Sequence, residues 1–521
     1  GVARALLKPA RLMWLLPMLA LGAMLASAQV LPSLELAGYA YRHPAPPSGV
    51  SNAMPAPYLL SFVSPDLFGN PVDRNFHPLG GQSPLGGINY NEFTAYVGLL
   101  ALALAVWGIL YGGRPGLFFA GLAVVSLSGA CGGPPARLLA ILAPSAGTLY
   151  ACRTLVVGAF ATSVLAAYGM QEAAHGARGR QARVIAPTVI CLALAAGAAV
   201  WSLHIGRETS VTSGTRTLVP ALALAACALA AGFILPRSAA AWPRWVLVGV
   251  LAADLLSFGA RYNTYLPRAL IREGYAALQS TPQGSEYQFR AVGAPNALPP
   301  DVAMLAGLPS AEGYDSLNLR RYVELWQIAN RKPVWGNRLK AEDLTSGIWA
   351  LLGVKYVLEP LAAGRLAVHE RAQVLPRAFL VNRLPSLDRD QLQALSAAPR
   401  SVPADERVLT ALGLMPAPAD LVPGAEATFL DYRPERVALD VRAPSPGWLV
   451  LTDSTYPGWR CYVGGTSTPI HTAYHVFRAV RLADDARVEF VYWPASFAVG
   501  FFLAALAVCV GVAMLTMWAP R

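Results

Sequence analysis

The stretch "RVEFVYWPASFAVGFFLAALAVCVGVAMLTM" (487–517) holds two kinds of structure with one proline between them. Before Pro494, "RVEFVYW" sets Val488, Phe490 and Tyr492 against Arg487, Glu489 and Val491, the period-two pattern of a strand. After it, 495–517 carries no charge at all. A bilayer crossing takes about 20 apolar residues, so this segment is long enough to span. A β-rich module in water therefore ends where the chain enters a membrane, and the rest of the fold is read outward from that junction.

The composition agrees. Of 521 residues, 55% are hydrophobic and only 14% charged, with a mean hydropathy of +0.42. Soluble domains carry about 25% charged residues. The sequence predicts a polytopic α-helical membrane protein with about eight spanning helices, over 12–30, 94–112, 116–131, 154–170, 184–203, 218–235, 245–260 and 495–517. Between the third and fourth, "ARLLAILAPSAGTLYACRT" (136–154) reads as a short re-entrant or interfacial helix. "LMWLLPMLALGAMLASAQ" (12–29) also has the outline of a signal peptide, but the chain begins with Gly1, and a first membrane helix of a truncated chain is the preferred reading.

Charge sets the orientation. Short connections at alternate ends carry Arg4, Lys8, Arg11, Arg114, Arg178, Arg180, Arg183, Arg237 and Arg244, with Arg521 at the end. By the positive-inside rule these ends are cytoplasmic, so the loop 31–93 and the region 261–494 face outside. The net charge is +11, but 261–494 contributes only +2 of it. The excess lies beside membrane segments, which points to lipid head groups and excludes a nucleic-acid partner.

Four parts follow: a multi-spanning helical domain (1–260), a mixed α/β domain (261–423), an antiparallel β-sandwich (424–494) and a C-terminal transmembrane helix (495–521). In 261–423, helix-like "PRALIREGYAALQ" and "LNLRRYVELWQIA" alternate with strand-like "YQFRAV" and "VKYVLE". From 424, "RVALDVRA", "GWLVLTDS" and "YHVFRAVRL" are short strands broken by Pro, Gly and Asp. Within them, "STYPGWRCYVGG" (454–465) is a turn followed by a strand, with Gly458 supplying the positive φ of a type II turn. Alternation puts Trp459, Cys461 and Val463 on one face and Arg460 and Tyr462 on the other. Two readings stay open: Trp459 fills the sandwich core with Tyr456 pinning the turn, or Tyr456, Trp459 and Tyr462 form an aromatic platform for a sugar.

Among titratable residues, Asp254 is the only acid inside an apolar segment, which makes it either a functional group or the partner of Arg261 or Arg153. Arg153, opening the fourth span, can clamp a lipid phosphate or anchor the interface. Glu35, Asp66, His77 and Glu92 are the other outer candidates; Asp66 and Glu92 can equally cap a turn or begin a helix. Tyr90, Asn89 and Asn91 can bind sugar hydroxyls or serve as loop material. Tyr314 and Asp315 sit in a Gly-led turn, where Asp is commonly a cap. The six cysteines form no ligand cluster, although Cys131 and Cys152 share one loop and can pair. No Walker loop, dinucleotide fingerprint, HExxH or paired CxxC occurs, which argues against ATP-driven transport, redox work and zinc hydrolysis. No ligand set demands a divalent metal.

"YPGWRCYVGGTSTPIHTAYHVFRAVRL" followed by "VEFVYWPASFAVG" resembles the C-terminal end of the YfhO-like bacterial membrane protein family. "AQVLPSLELA" (28–37), "LLSFVSPDLFGN" (59–70), "NEFTAYVGLLALALAV" (91–106), "LAADLLSFGARYN" (251–263), "GYDSLNLRRY" (313–322) and "LLGVKYVLE" (351–359) extend the resemblance in order along the chain. It implies a GT-C-type glycosyltransferase of the bacterial cytoplasmic membrane, with a polyprenyl-phosphate sugar as donor and an envelope glycan or polymer as acceptor. It also implies further helices ahead of Gly1, and a catalytic loop lying there. Such transfer needs a carboxylate base and cationic donors for the departing phosphate; the candidates present are Asp254, Glu35, Asp66 and Glu92 for the first and Arg153 for the second. The alternative is a non-catalytic envelope scaffold or glycan-binding assembly protein.

Overall fold

The computed structural model describes residues 9–41, 50–51, 53–70, 90–142, 149–175, 182–209, 219–220, 222–230, 242–262, 287–295, 297, 301–315, 317–334, 338–361, 366–384 and 405–518. The helices that matter are α1 (Pro9–Tyr39), α2 (Leu99–Tyr111), α3 (Gly113–Ala130), α4 (Pro134–Leu142), α5 (Leu155–His175), α6 (Ala182–Thr209), α7 (Trp242–Tyr262), α8 (Arg320–Asn330) and α9 (Ala495–Trp518). The chain divides into two compact units: Gly1–Arg11 with Pro44–Tyr265, and Leu12–His43 with Leu266–Arg521. The first long helix thus belongs with the C-terminal half, not with the other N-terminal helices.

Among the described residues, three helices are long and apolar enough to cross a membrane: Leu16–Tyr39, Ala151–Ala173 and Ala495–Met514. Helices α3 and α4 together pass the same test but are bent by 75°, as a broken span or a re-entrant loop would be. Leu99–Tyr111 and Ile185–Trp201 are apolar but shorter. The expected eight spans are therefore not reached among the described residues.

In the first unit, α2 and α5 meet backbone to backbone because glycine stands at the crossing. A Cβ on Gly108 would lie 2.1 Å from the Leu165 carbonyl oxygen, and one on Gly169 would lie 1.8 Å from that of Leu104. Small residues allow this approach where lipid supplies no hydrophobic drive between helices.

Apart from the two-residue pairs Val50–Ser51 with Leu149–Tyr150 and Gly313–Tyr314 with Arg338–Leu339, the described strands lie in the second unit: β1 (Arg290–Gly293), β2 (Val354–Pro360), β3 (Leu366–Glu370), β4 (Ala378–Val381), β5 (Glu426–Arg433), β6 (Arg436–Arg442), β7 (Gly447–Ser454), β8 (Trp459–Val463), β9 (Thr466–Thr468), β10 (His471–Ala473), β11 (Phe477–Leu482) and β12 (Ala486–Tyr492). A three-stranded sheet has the order β1-β2-β3, with β1 and β2 parallel. Downstream lie a five-stranded sheet, β9-β8-β12-β6-β5, and a four-stranded sheet, β10-β11-β7-β4, both antiparallel. The four-stranded sheet takes β4 from ahead of residue 424. The helix-like 267–279 lies outside the described residues, as do His77 and Asn89.

The four-stranded sheet is covered on both faces. Leu449, Leu451, Val480 and Leu482 share a core with Val437, Leu439, Val488 and Phe490 of the five-stranded sheet. Val450, Phe477 and Ala479 instead join Trp326 of α8 and Trp349 in a second core. A strand buried on both sides reads as a near-continuous apolar run, which is why "GWLVL" lacks polar alternation.

Helices α1 and α9 pair inside this unit. A Cβ on Gly500 would lie 2.4 Å from the Ser27 carbonyl oxygen, and the Ser27 hydroxyl donates to the Gly500 carbonyl at 2.7 Å. One turn short of the α1 end, Glu35 accepts a hydrogen bond from the Ser496 hydroxyl.

Candidate functional site

The turn 454–459 closes one wall of a cavity of about 470 Å³ in the second unit. Pro457 and Gly458 make the turn, and Gly458 adopts φ +98 as its sequence context predicts. A Cβ there would fall 2.8 Å from Pro494 Cα, so glycine is required by space as well as by φ. The other walls are the α1 end at Tyr39, the first turn of α8 with Arg320 and Arg321, and Arg478 of β11.

Three of the lining rings are linked to one another directly or through Tyr492. Tyr39 meets Tyr456 edge-on at 5.5 Å, and Tyr492 lies 6.1 Å from Tyr456 and 5.2 Å from Trp459. Burial pushes the Tyr456 hydroxyl pKa upward, helped by the neighbouring Tyr492 and the Glu35 charge. Trp459 is half-buried and does two things at once: it packs against the inter-sheet core and stands in the cavity wall. Its ring covers the face of the Arg478 guanidinium at 3.8 Å, a close cation–π contact.

Behind Arg478 lies a buried knot of charge. Asp453, at the end of β7, accepts from Arg290 at 2.8 Å, Arg377 at 3.0 Å and Arg478 at 2.9 Å. The three guanidinium side chains are 10%, 2% and 3% exposed. Burial by itself would raise the Asp453 carboxyl, but the three guanidiniums, Arg377 foremost, outweigh it and hold the pKa at about 2. Burial pulls Arg290 and Arg478 down, only partly offset by Asp453. Tyr432 donates to the same carboxylate and accepts from Arg377.

The remaining sequence candidates fall elsewhere. Tyr462 sits on the face of β8 opposite Cys461 and does not line the cavity. Cys461 is buried, and its thiol is pushed up to about 12 by that burial, which makes it a core residue without reactivity. In the first unit, Asp254 accepts from the Tyr96 hydroxyl at 2.7 Å and from the Leu99 backbone N–H at 3.0 Å. Its partners among the described residues thus lie at the start of α2, and Arg153 is not one of them; the Arg261 side chain lies outside the described residues. Arg153 pairs with Glu92 at 3.0 Å, and the Cys152 thiol points to the same carboxylate at 3.6 Å. Cys131 and Cys152 are separate thiols, so the pairing left open by the sequence is not made. Tyr90 stacks near Tyr262 at 5.7 Å, and Asp66 accepts from Asn70. Asp315 caps its own turn by accepting from the Leu317 N–H, while Tyr314 is exposed. Among the described residues no group of three His, Cys, Asp or Glu is placed to hold a metal.

Sequence reasoning missed Tyr39, Arg320, Arg321, Arg478 and Asp453. Two of them had a usable signal. Arg478 shares its strand face with Val480 and Leu482, and Asp453 follows the apolar run of β7, so each is a charge where alternation calls for an apolar residue. Comparison with family models, with curated proteins and with solved structures gave no match.

Proposed function

We propose that this chain is a membrane glycosyltransferase-like protein that handles a polyprenyl-phosphate-linked sugar at the outer face of a bacterial cytoplasmic membrane and passes the sugar to an envelope glycan. In this reading the two antiparallel sheets form an outward β-sandwich, and eight crossings place 31–93 and 261–494 outside. The observation that carries the reading is the cavity at the C-terminal end of α1: four aromatic rings and three arginines line it where two membrane-length helices meet a β module. Aromatic faces suit the C–H side of a sugar ring, and guanidiniums suit its phosphate. Glu35, one turn away on α1 and felt by Tyr456 and Tyr492, is the nearest sequence candidate for a base.

A second reading, binding and assembly without transfer, is favoured by one feature: no Asp or Glu is found among the described residues that line the cavity. The experiment is transfer of labelled polyprenyl-phosphate sugars into envelope polymer by membranes containing wild type, Glu35→Gln or Trp459→Ala at equal abundance. The glycosyltransferase reading expects transfer by wild type and loss of at least about tenfold in each variant. Retention of the labelled lipid without transfer selects the binding reading. Neither retention nor transfer, across several sugars, overturns both.

A further inference from the structure

The hairpin between β10 and β11 turns on two residues that resist it. Tyr474 has φ +45 and His475 φ +70, in the left-handed region that residues with a side chain seldom enter. The Val476 N–H donates to the Ala473 carbonyl at 3.2 Å and closes the turn. Backbone of this kind persists only where its surroundings impose it, and it is a common ingredient of two-state devices. Two contacts impose it here. Tyr474 is 2% exposed and belongs to the core shared with α8, its ring 6.3 Å from Phe379. His475 places Nε2 2.6 Å from Glu324 Oε2 of α8, with the two side chains 7% and 11% exposed.

That pair joins two walls of the cavity. On one side, Glu324 lies one turn beyond Arg320 and Arg321, and the lead into α8 is tied to the α1 end, where the Tyr41 N–H donates to the Asn318 carbonyl at 2.8 Å. On the other, the Val476 carbonyl accepts from the Thr455 N–H at 2.6 Å, and Val476, Thr455 and Arg478 line the cavity. Arg321 reaches the same tip, its Nη1 donating to the His475 carbonyl at 3.5 Å. Beside Tyr474 stand Arg383 and Asp420, paired with each other at 3.0 Å. Among the described residues, Glu324 is the charged group that meets the imidazole itself.

We propose that His475 and Glu324 form a pH-sensitive latch on the cavity, holding the hairpin tip against α8 while the imidazole is protonated and releasing it when the proton is lost. A buried pair of opposite charges is a strong contact while both charges are present, and it weakens when one is removed. The strain at His475 then works in favour of release. Tyr474 anchors the hairpin to the core, so the movement is confined to the tip and the first turn of α8. Histidine changes charge between about pH 5 and 8, which puts the device near neutrality. The sign follows from the cation being the form that pairs with the carboxylate: rising pH loosens the latch. The latch acts on the cavity whatever its ligand, so it does not rest on the reading above.

The test uses the full chain in detergent, with the six native cysteines replaced and nitroxide labels at Arg320→Cys and Thr472→Cys, one on each wall. Their separation is read by pulsed electron resonance from about pH 5.5 to about pH 9. The expected result is a short distance at the acid end and a longer-distance population that grows at least about tenfold toward the alkaline end. Two variants remove the latch: Glu324→Gln, and His475→Asn, chosen because asparagine tolerates a positive φ. Each is expected to show the longer distance at every pH. A wild-type distance that does not change with pH overturns the proposal. So does a pH response that survives in the variants, or a short distance that they keep. If one variant fails to fold, the other decides together with the wild-type profile. No sugar or lipid carrier is added, so failure of the enzymatic reading leaves this result standing.

Discussion

At the residue scale, Asp453 is the side chain on which most depends. It holds three buried arginines in place with one carboxylate. Breaking a buried ion pair from one side costs about 3–5 kcal/mol because the partner charge stays behind. Asp453→Asn is accordingly expected to lower stability by that amount in denaturant unfolding followed by tryptophan fluorescence. Glu342→Gln, which breaks the exposed Lys332–Glu342 pair, is expected to cost less than about 1 kcal/mol. The same carboxyl gives a pH dependence. Its pKa is about 2 in the fold against an ordinary 3.8, so its stabilisation is fully present above the higher value and is lost as pH falls from about 4 toward 2. The loss should amount to about 2 kcal/mol, and Asp453→Asn should not show it. Gly458 makes a second point of the same kind. With φ +98 and Pro494 Cα 2.8 Å from a hypothetical Cβ, Gly458→Ala should destabilise by about 1–3 kcal/mol, read as a lowered thermal midpoint.

At the scale of elements, close helix contacts are made by small residues and by one carboxylate. Helices α1 and α9 touch at Ser27 and Gly500, where a side chain has no room. Gly500→Leu is expected to cost about 1–3 kcal/mol by overpacking and to lower the unfolding midpoint in detergent. Asp254 works differently. Its oxygens receive the Tyr96 hydroxyl and the Leu99 N–H, so it serves the otherwise unpaired start of α2 from a neighbouring helix. If that is its whole role, Asp254→Asn and Tyr96→Phe should each lower stability by about 1–3 kcal/mol and change sugar transfer equally. Loss of transfer in Asp254→Asn alone would instead assign it chemistry.

At the scale of the molecule, the grouping of α1 with the C-terminal half matters most. Tyr39 at the end of α1 touches the module, and Pro494 at the start of α9 leaves it, so both helices enter from the same side of the module. The exposed Ser467, in the middle of the edge strand β9, then reports which side of the membrane that is. With the six native cysteines replaced, Ser467→Cys should react with a membrane-impermeant maleimide in intact cells. Reaction only after lysis would place the module inside and remove the outer-face reading.

What the sequence determined by itself was local. The uncharged run after Pro494, the strands of 426–492 and the positive φ of Gly458 are written in spacing and residue type, because each depends on a few neighbours along the chain. The same holds for "LNLRRYVELWQIA", which becomes α8. Short apolar runs were less well determined: 94–112 became a 13-residue helix because Gly98 and an extended lead-in hold it back. Only the tertiary structure decided that α1 belongs with the last third of the chain, that β4 completes a sheet begun after residue 447, and that Arg478, Asp453, Arg377 and Arg290 converge. Those residues are up to 188 positions apart. A pairing over that distance leaves no periodic trace, since a charge at an inward position marks a conflict in the strand without naming the residues that resolve it.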